Sequence, residues 1–210
     1  MIIVSSTNIN FNRGIWELDH KWQTEIYPEC PYCNGELKYR DSRTRNSKNI
    51  MGIVDCYRLR RFLCLICVTL HTEIPDVLQP YKHYNSYVIQ SVLEGRTEAE
   101  SCNADTSTIR RWKNSFTKAK PDINQRLASL NARETNGITP IVHIAQILDQ
   151  IRSKKNQWLS YVMALLINNG HRICTQFAFF KAEIADKISM TGQKKAKGGT
   201  IIDKTVKNSE

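Results

Sequence analysis

The chain has 210 residues, with 30 Lys and Arg against 20 Asp and Glu, for a net charge of +10. At 41% hydrophobic residues it is apolar enough to bury a core, which excludes a disordered chain. No run approaches the roughly 18 apolar residues of a membrane span, and the opening Met1-Ile2-Ile3-Val4 turns polar without a basic flank, so neither a membrane anchor nor a secretory signal is expected. A cytoplasmic protein with no membrane partner follows as the expectation.

Residues 1–29 are acidic and read as an irregular lead, with Trp16, Leu18, Trp22 and Ile26 available for packing. The excess of bases begins at the first cysteine pair and continues to the end of the chain. A sustained excess of this kind suits a polyanion, most simply nucleic acid.

Residues 30–80 carry Cys30-Pro31-Tyr32-Cys33 and Cys64-Leu65-Ile66-Cys67. Each Cys-x-x-Cys turn brings two thiolates close enough to share one ion, and two turns supply the four soft ligands of a tetrahedral Zn²⁺. A redox dithiol would sit near a βαβ pattern, which this segment lacks. One structural zinc per chain is therefore expected on Cys30, Cys33, Cys64 and Cys67. Gly35 is read as the residue supplying a left-handed turn after the first pair. His71, four residues beyond Cys67, is read as a packing or surface imidazole. Cys56, Cys102 and Cys174 are read as small buried hydrophobes.

Between the pairs, residues 36–40 and 55–60 alternate as two half-buried strands, with 42–49 as the joining loop. The product is a small four-cysteine zinc ribbon. Arg43, Arg45 and Lys48 on its loop are candidate phosphate contacts.

Residues 81–120 read as three helical pieces. Val88, Ile89, Val92 and Leu93 keep helical spacing and Gly95 closes the first piece. Residues 98–102 form a short second piece, and Asn103 suits a left-handed corner. Asp105 is a candidate N-cap for the third, in which Ile109, Trp112 and Phe116 form one apolar stripe. Ser107, Arg110, Arg111, Asn114 and Lys118 fall on the opposite face. That is the layout of a helix-turn-helix recognition helix, with Arg for guanine or phosphate, Asn for adenine and Ser for either.

Pro121-Asp122 is read as a boundary. The segment 121–185 is expected to be helical, with Ile141, Ile144, Leu148, Ile151, Trp158, Val162 and Leu165 either packing on the DNA-binding part or forming a homodimer. Residues 186–210 are Lys-rich and read as a basic disordered tail.

The run Cys30-Pro31-x-Cys33-x-Gly35, Arg60-Arg61-x-x-Cys64-x-x-Cys67, His71-Thr72-Glu73-Ile74-Pro75-Asp76 and Pro80-Tyr81-Lys82-x-Tyr84 resembles a group of uncharacterised bacterial transposase-like proteins. In that group a zinc ribbon precedes a helix-turn-helix. Ser107 to Trp112 also resembles the recognition helix of insertion-sequence transposases, and the likeness covers roughly 30–118. It implies fold and DNA association, but no reaction.

The acids behind residue 120 sit in helical or tail segments, without the strands that gather three carboxylates around Mg²⁺. The expectation is thus a non-enzymatic α+β protein: a zinc-ribbon β module followed by a mainly helical helix-turn-helix region and C-terminal helices. It would act on DNA as a regulator or mobile-element accessory protein, with no small-molecule substrate. The alternatives are the DNA-binding fragment of a transposase working in strand cleavage and joining, and a zinc-ribbon interaction module.

Overall fold

The computed structural model describes residues 1–6, 9–18, 29–96, 104–134 and 146–171. Six strands come first: β1 (Ile2–Val4), β2 (Ile9–Asn12), β3 (Ile15–Leu18), β4 (Leu37–Lys48), β5 (Val54–Cys64) and β6 (Leu70–Pro75). Four helices follow: α1 (Ser86–Glu94), α2 (Thr106–Glu134), α3 (Ile147–Lys154) and α4 (Trp158–Asn168). No helix among the described residues is long and apolar enough to cross a membrane.

The α+β order is as expected, but the small ribbon is not what forms. All six strands join one mixed sheet in the order β1-β6-β5-β3-β2, with β4 on the other side of β5. β5 is the hub. Antiparallel β4 covers one edge along its length. Parallel β3 pairs with Cys56 to Arg58 on the other edge, and antiparallel β6 follows at Arg61 to Leu63. Parallel β1 then closes the outer edge of β6.

The lead segment is therefore not irregular where it is described. Ile2-Ile3-Val4 is a β-branched run suited to a strand buried on both faces. Ile9–Asn12 and Ile15–Leu18 form a hairpin around Arg13-Gly14, both left-handed at φ 50° and 84°. Two successive left-handed residues match the twist of the flanking strands, but Asn-Gly is the usual carrier. Arg in the first place hid the turn. A bare two-stranded ribbon would also leave unpaired edges and little core, both of which the added strands remedy.

The expected loop 42–49 is the second half of β4, so Arg43, Arg45 and Lys48 lie along a strand opposite Leu59, Tyr57 and Val54. The real turn follows at 49–53. There the Asn49 side chain accepts the amides of Met51 and Ile53 at 3.0 Å each, as an Asx turn does.

Strand alternation splits the interior in two. On β5, Tyr57 and Leu59 enter the main core, whereas Phe62 and Cys64 enter a smaller one with Ile2, Cys30 and Leu37. The side chains change face between Leu59 and Phe62, beside the register shift between Tyr39 and Asp41 on β4. β1 bridges both, with Ile2 in the small core and Ile3 in the large.

The helices cover the large core. Gly95 ends α1 in the left-handed conformation, at φ 69°. The next expected helical piece, 98–102, and the corner at Asn103 lie outside the described residues. α2 does not stop at Pro121; it contains that proline and continues to Glu134. Trp112, Phe116, Ala119, Ile123, Leu127 and Leu130 repeat at three and four residues along its buried side. Leu148 on α3 and Trp158, Val162 and Leu166 on α4 complete the same core. Trp22, Ile26, Ile141, Ile144, Cys102, Cys174 and the Lys-rich tail lie outside the described residues.

Candidate metal centre and nucleic-acid interface

The small core surrounds the cysteines. In the first knuckle the Asn34 amide donates to the Cys30 carbonyl at 2.8 Å, and the Cys30 amide donates to Gly35 at 2.9 Å. In the second, the Cys64 amide donates to Thr69 at 3.0 Å, and the Leu65 amide donates across to Glu36 at 3.1 Å. The Cys67 amide points at the Cys64 sulfur, 3.4 Å away.

The left-handed residue of each knuckle is not a glycine. Asn34 at φ 54° and Val68 at φ 55° take that place. Gly35 serves close packing instead: a Cβ there would stand 2.9 Å from the exposed Ile66 side chain and 3.1 Å from the Cys64 sulfur. Its bare backbone lets the two knuckles approach.

The result is the gathering of Cys30, Cys33, Cys64 and Cys67, whose sulfurs all lie within 4.8 Å of one another. Cys30 to Cys67 is 3.6 Å and Cys33 to Cys64 is 3.5 Å. A tetrahedral thiolate site with metal–sulfur bonds of about 2.3 Å sets its sulfurs about 3.8 Å apart. Donor type, number and spacing therefore fit one metal ion. Cys30 and Cys64 are buried, and Cys33 is exposed. Hydrogen bonding by Thr69 pulls the Cys67 thiol down to about 6, toward the thiolate that a metal needs. Burial pushes Cys30 the other way.

His71, read from the sequence as a packing or surface imidazole, is a packed one beside the cysteines. It is fully buried, with Nε2 3.3 Å from the Cys30 sulfur and Nδ1 3.0 Å from the Met1 nitrogen. Burial, and then the nearby amino group, lower its pKa to about 4, so the ring is neutral. Its spacing from Cys67 was the available signal. What spacing could not show is that β6 turns this side chain under the first knuckle.

The basic residues fall into two kinds. On α2, Ser107, Arg110, Arg111, Asn114 and Lys118 are all exposed, opposite the buried Trp112–Phe116–Ala119 stripe. Asp105 precedes the helix and accepts the Thr108 amide at 2.8 Å, the Ser107 hydroxyl at 2.5 Å and the Thr108 hydroxyl at 2.8 Å. Those bonds, Ser107's first, hold its carboxyl well below the usual carboxylate range. Ser107 thus has its hydroxyl engaged in the cap.

On the hairpin, Arg43 is exposed, whereas Arg45 and Lys48 are half-buried. The Arg45 guanidinium donates to the carbonyls of Gln79 and Lys82, and burial lowers its pKa to about 10. Lys48 lies 5.7 Å over the Tyr84 ring, which meets Trp112 edge-on at 5.1 Å. Arg45 and Lys48 therefore fasten the 79–85 turn between the hairpin and α2. Lys82, on that turn, has its pKa lowered by burial and then by the charge of Arg111. The turn and the helix face present their cations side by side.

Residues 30–112 match the model of one protein family, a domain of unknown function (DUF6431). The match spans both cysteine pairs, His71, the 79–85 turn and the first turns of α2. No curated protein and no solved structure matches the chain. The resemblance drawn from the sequence is thereby narrowed to this domain and its four-cysteine cluster.

Proposed function

We propose that the chain is a zinc-containing DNA-binding protein, transposase-like in its use of DNA, that serves as a regulator or mobile-element accessory protein without a nuclease of its own. The observation that carries this reading is the exposure of Arg110, Arg111, Asn114 and Lys118 on the side of α2 opposite a buried aromatic stripe. A helix anchored in this way offers a rigid, cationic edge of a width suited to the major groove. Arg43 and Lys82 extend the positive charge beyond the helix and would hold phosphates. Zinc is the metal that four thiolates favour, and a full set of protein ligands leaves no position for a reacting water. Its work is to hold the knuckles, and through them the hairpin, in place.

The decisive experiment is a gel-shift titration on a DNA site selected from a random pool, with wild type and Arg110→Ala. Loss of a base contact is expected to weaken specific binding by about 1–3 kcal/mol. An unchanged ratio of specific to nonspecific affinity would overturn the base-reading role of α2.

One observation favours a second reading, a protein-interaction module. Leu65, Ile66 and Val68 at the tip of the second knuckle are exposed at 52%, 69% and 72%. Partner binding insensitive to salt would support it, because phosphate-dominated binding falls steeply as salt rises.

A further inference from the structure

His71 stands at the metal centre without belonging to its ligand set. Its Nε2 touches one sulfur, that of Cys30, at 3.3 Å, while the group of mutually close donors comprises the four cysteines. The other ring nitrogen lies 3.0 Å from the nitrogen of Met1. A metal-bound thiolate has no proton to give, so the Nε2 that faces it at 3.3 Å is the donor of that contact. Tyr32, from the first knuckle, packs on the imidazole with ring centroids 5.1 Å apart and fixes its tilt.

The need for such a donor follows from charge. Four thiolates around a divalent ion carry a net charge of about −2, and two of these sulfurs are buried. A buried anion is costly unless hydrogen bonds meet it. Cys64 receives the Cys67 amide. Cys30, the other buried sulfur, has the backbone amides of Tyr32 and Cys33 and, as its one side-chain nitrogen contact among the described residues, the His71 ring.

We propose that His71 is a positioning residue of the metal centre, its Nε2–H donating to the Cys30 thiolate to hold that sulfur in ligating orientation and offset its charge. This rests on the reading that the four cysteines bind a metal, and it adds a fifth side chain to the centre. The bond also ties β6 to the first knuckle. Metal occupancy and the seating of β6 on the small core are then linked through one side chain.

The test uses the full chain loaded with Co²⁺ or Zn²⁺, as wild type, His71→Phe and His71→Gln. Wild type is expected to show the charge-transfer intensity of four thiolates on tetrahedral cobalt. His71→Phe keeps an aromatic ring, somewhat larger than imidazole, and loses the donor. Its affinity for Zn²⁺ in chelator competition is expected to fall by about 10- to 100-fold, with a shifted sulfur-to-cobalt band. His71→Gln, whose amide can still donate, is expected to recover most of that affinity. A readout that needs no variant is NMR of the cadmium-loaded wild type, in which the His71 ring proton should couple to the metal through the Cys30 sulfur.

Equal affinity and an unchanged spectrum in His71→Phe would overturn the proposal. So would a fall in His71→Gln as large as that in His71→Phe, which would make the ring a mere filler. A three-thiolate intensity in wild type would make His71 a ligand and overturn it as well. Absence of metal uptake by wild type would defeat the metal reading itself, and the proposal with it.

Discussion

At the scale of single residues, the buried charges carry the sharpest consequences. Glu73 lies on β6 inside the protein, its side chain 1% exposed, and Arg60 on β5 meets it with both arms of the guanidinium, at 2.7 and 2.9 Å. The Arg60 side chain is itself only 18% exposed. Removing one partner leaves a carboxylate with neither water nor cation. Arg60→Met is therefore expected to destabilise the fold by about 3–5 kcal/mol in urea denaturation. The paired replacement Arg60→Met with Glu73→Leu should recover much of that loss, since the isolated charge disappears. A loss under about 1 kcal/mol in the single variant would mean that the pair behaves as a solvated surface contact. From the sequence, Arg60 entered only as part of the run Arg60-Arg61-x-x-Cys64-x-x-Cys67 that carries the resemblance. Its partner sits thirteen positions away on the next strand, a distance that composition does not resolve.

At the scale of elements, α2 shows how a long apolar stripe overrides a local breaker. Pro121 has no N–H to donate to the carbonyl four residues back, and its ring crowds that carbonyl. Reading it as a boundary is sound local chemistry. Yet Trp112, Phe116, Ala119, Ile123, Leu127 and Leu130 are buried on both sides of it, and Pro121 itself is exposed on the outer face. Burial of that stripe outweighs a proline cost of roughly 3 kcal/mol. Pro121→Ala is thus expected to raise stability, by up to about 3 kcal/mol, read as a higher Tm without change in metal content. A lower Tm would show instead that a helix bend at this point is needed to seat α3 and α4.

At the scale of the whole molecule, the end of the helical part rests on the first cysteine knuckle. Gly170, just past α4, has φ 85°, and a Cβ there would meet the Pro31 carbonyl at 2.5 Å. Beside it, the Asn168 amide exchanges two hydrogen bonds with the backbone of Ile3, at 2.9 and 2.8 Å. The first knuckle is therefore held between β6 on one side and the end of α4 on the other. Gly170→Ala adds both backbone strain and a clash with main chain, and is expected to cost at least about 2 kcal/mol and to speed metal loss to a chelator. Gly95→Ala is the control. Gly95 is also left-handed, at φ 69°, but has open space around it, so only the strain of about 1 kcal/mol should appear, with no effect on the metal. Equal effects at the two glycines would mean that α4 does not brace the knuckle.

The sequence by itself determined what local chemistry can carry. The four-cysteine cluster, the Gly95 stop, the Asp105 cap and the two faces of α2 all follow from spacings within a few residues or from a paired motif. What only tertiary structure decided depends on contacts between distant segments. A turn built on Arg13-Gly14 gave no local sign that β2 and β3 would join the hairpin strands. Arg45 and Lys48 resemble phosphate contacts until the 79–85 turn folds onto them. His71 resembles any buried ring until β6 sets it beside Cys30. Short-range periodicity fixes which face of an element is apolar; which partner covers that face is settled only when the whole chain has closed around its two cores.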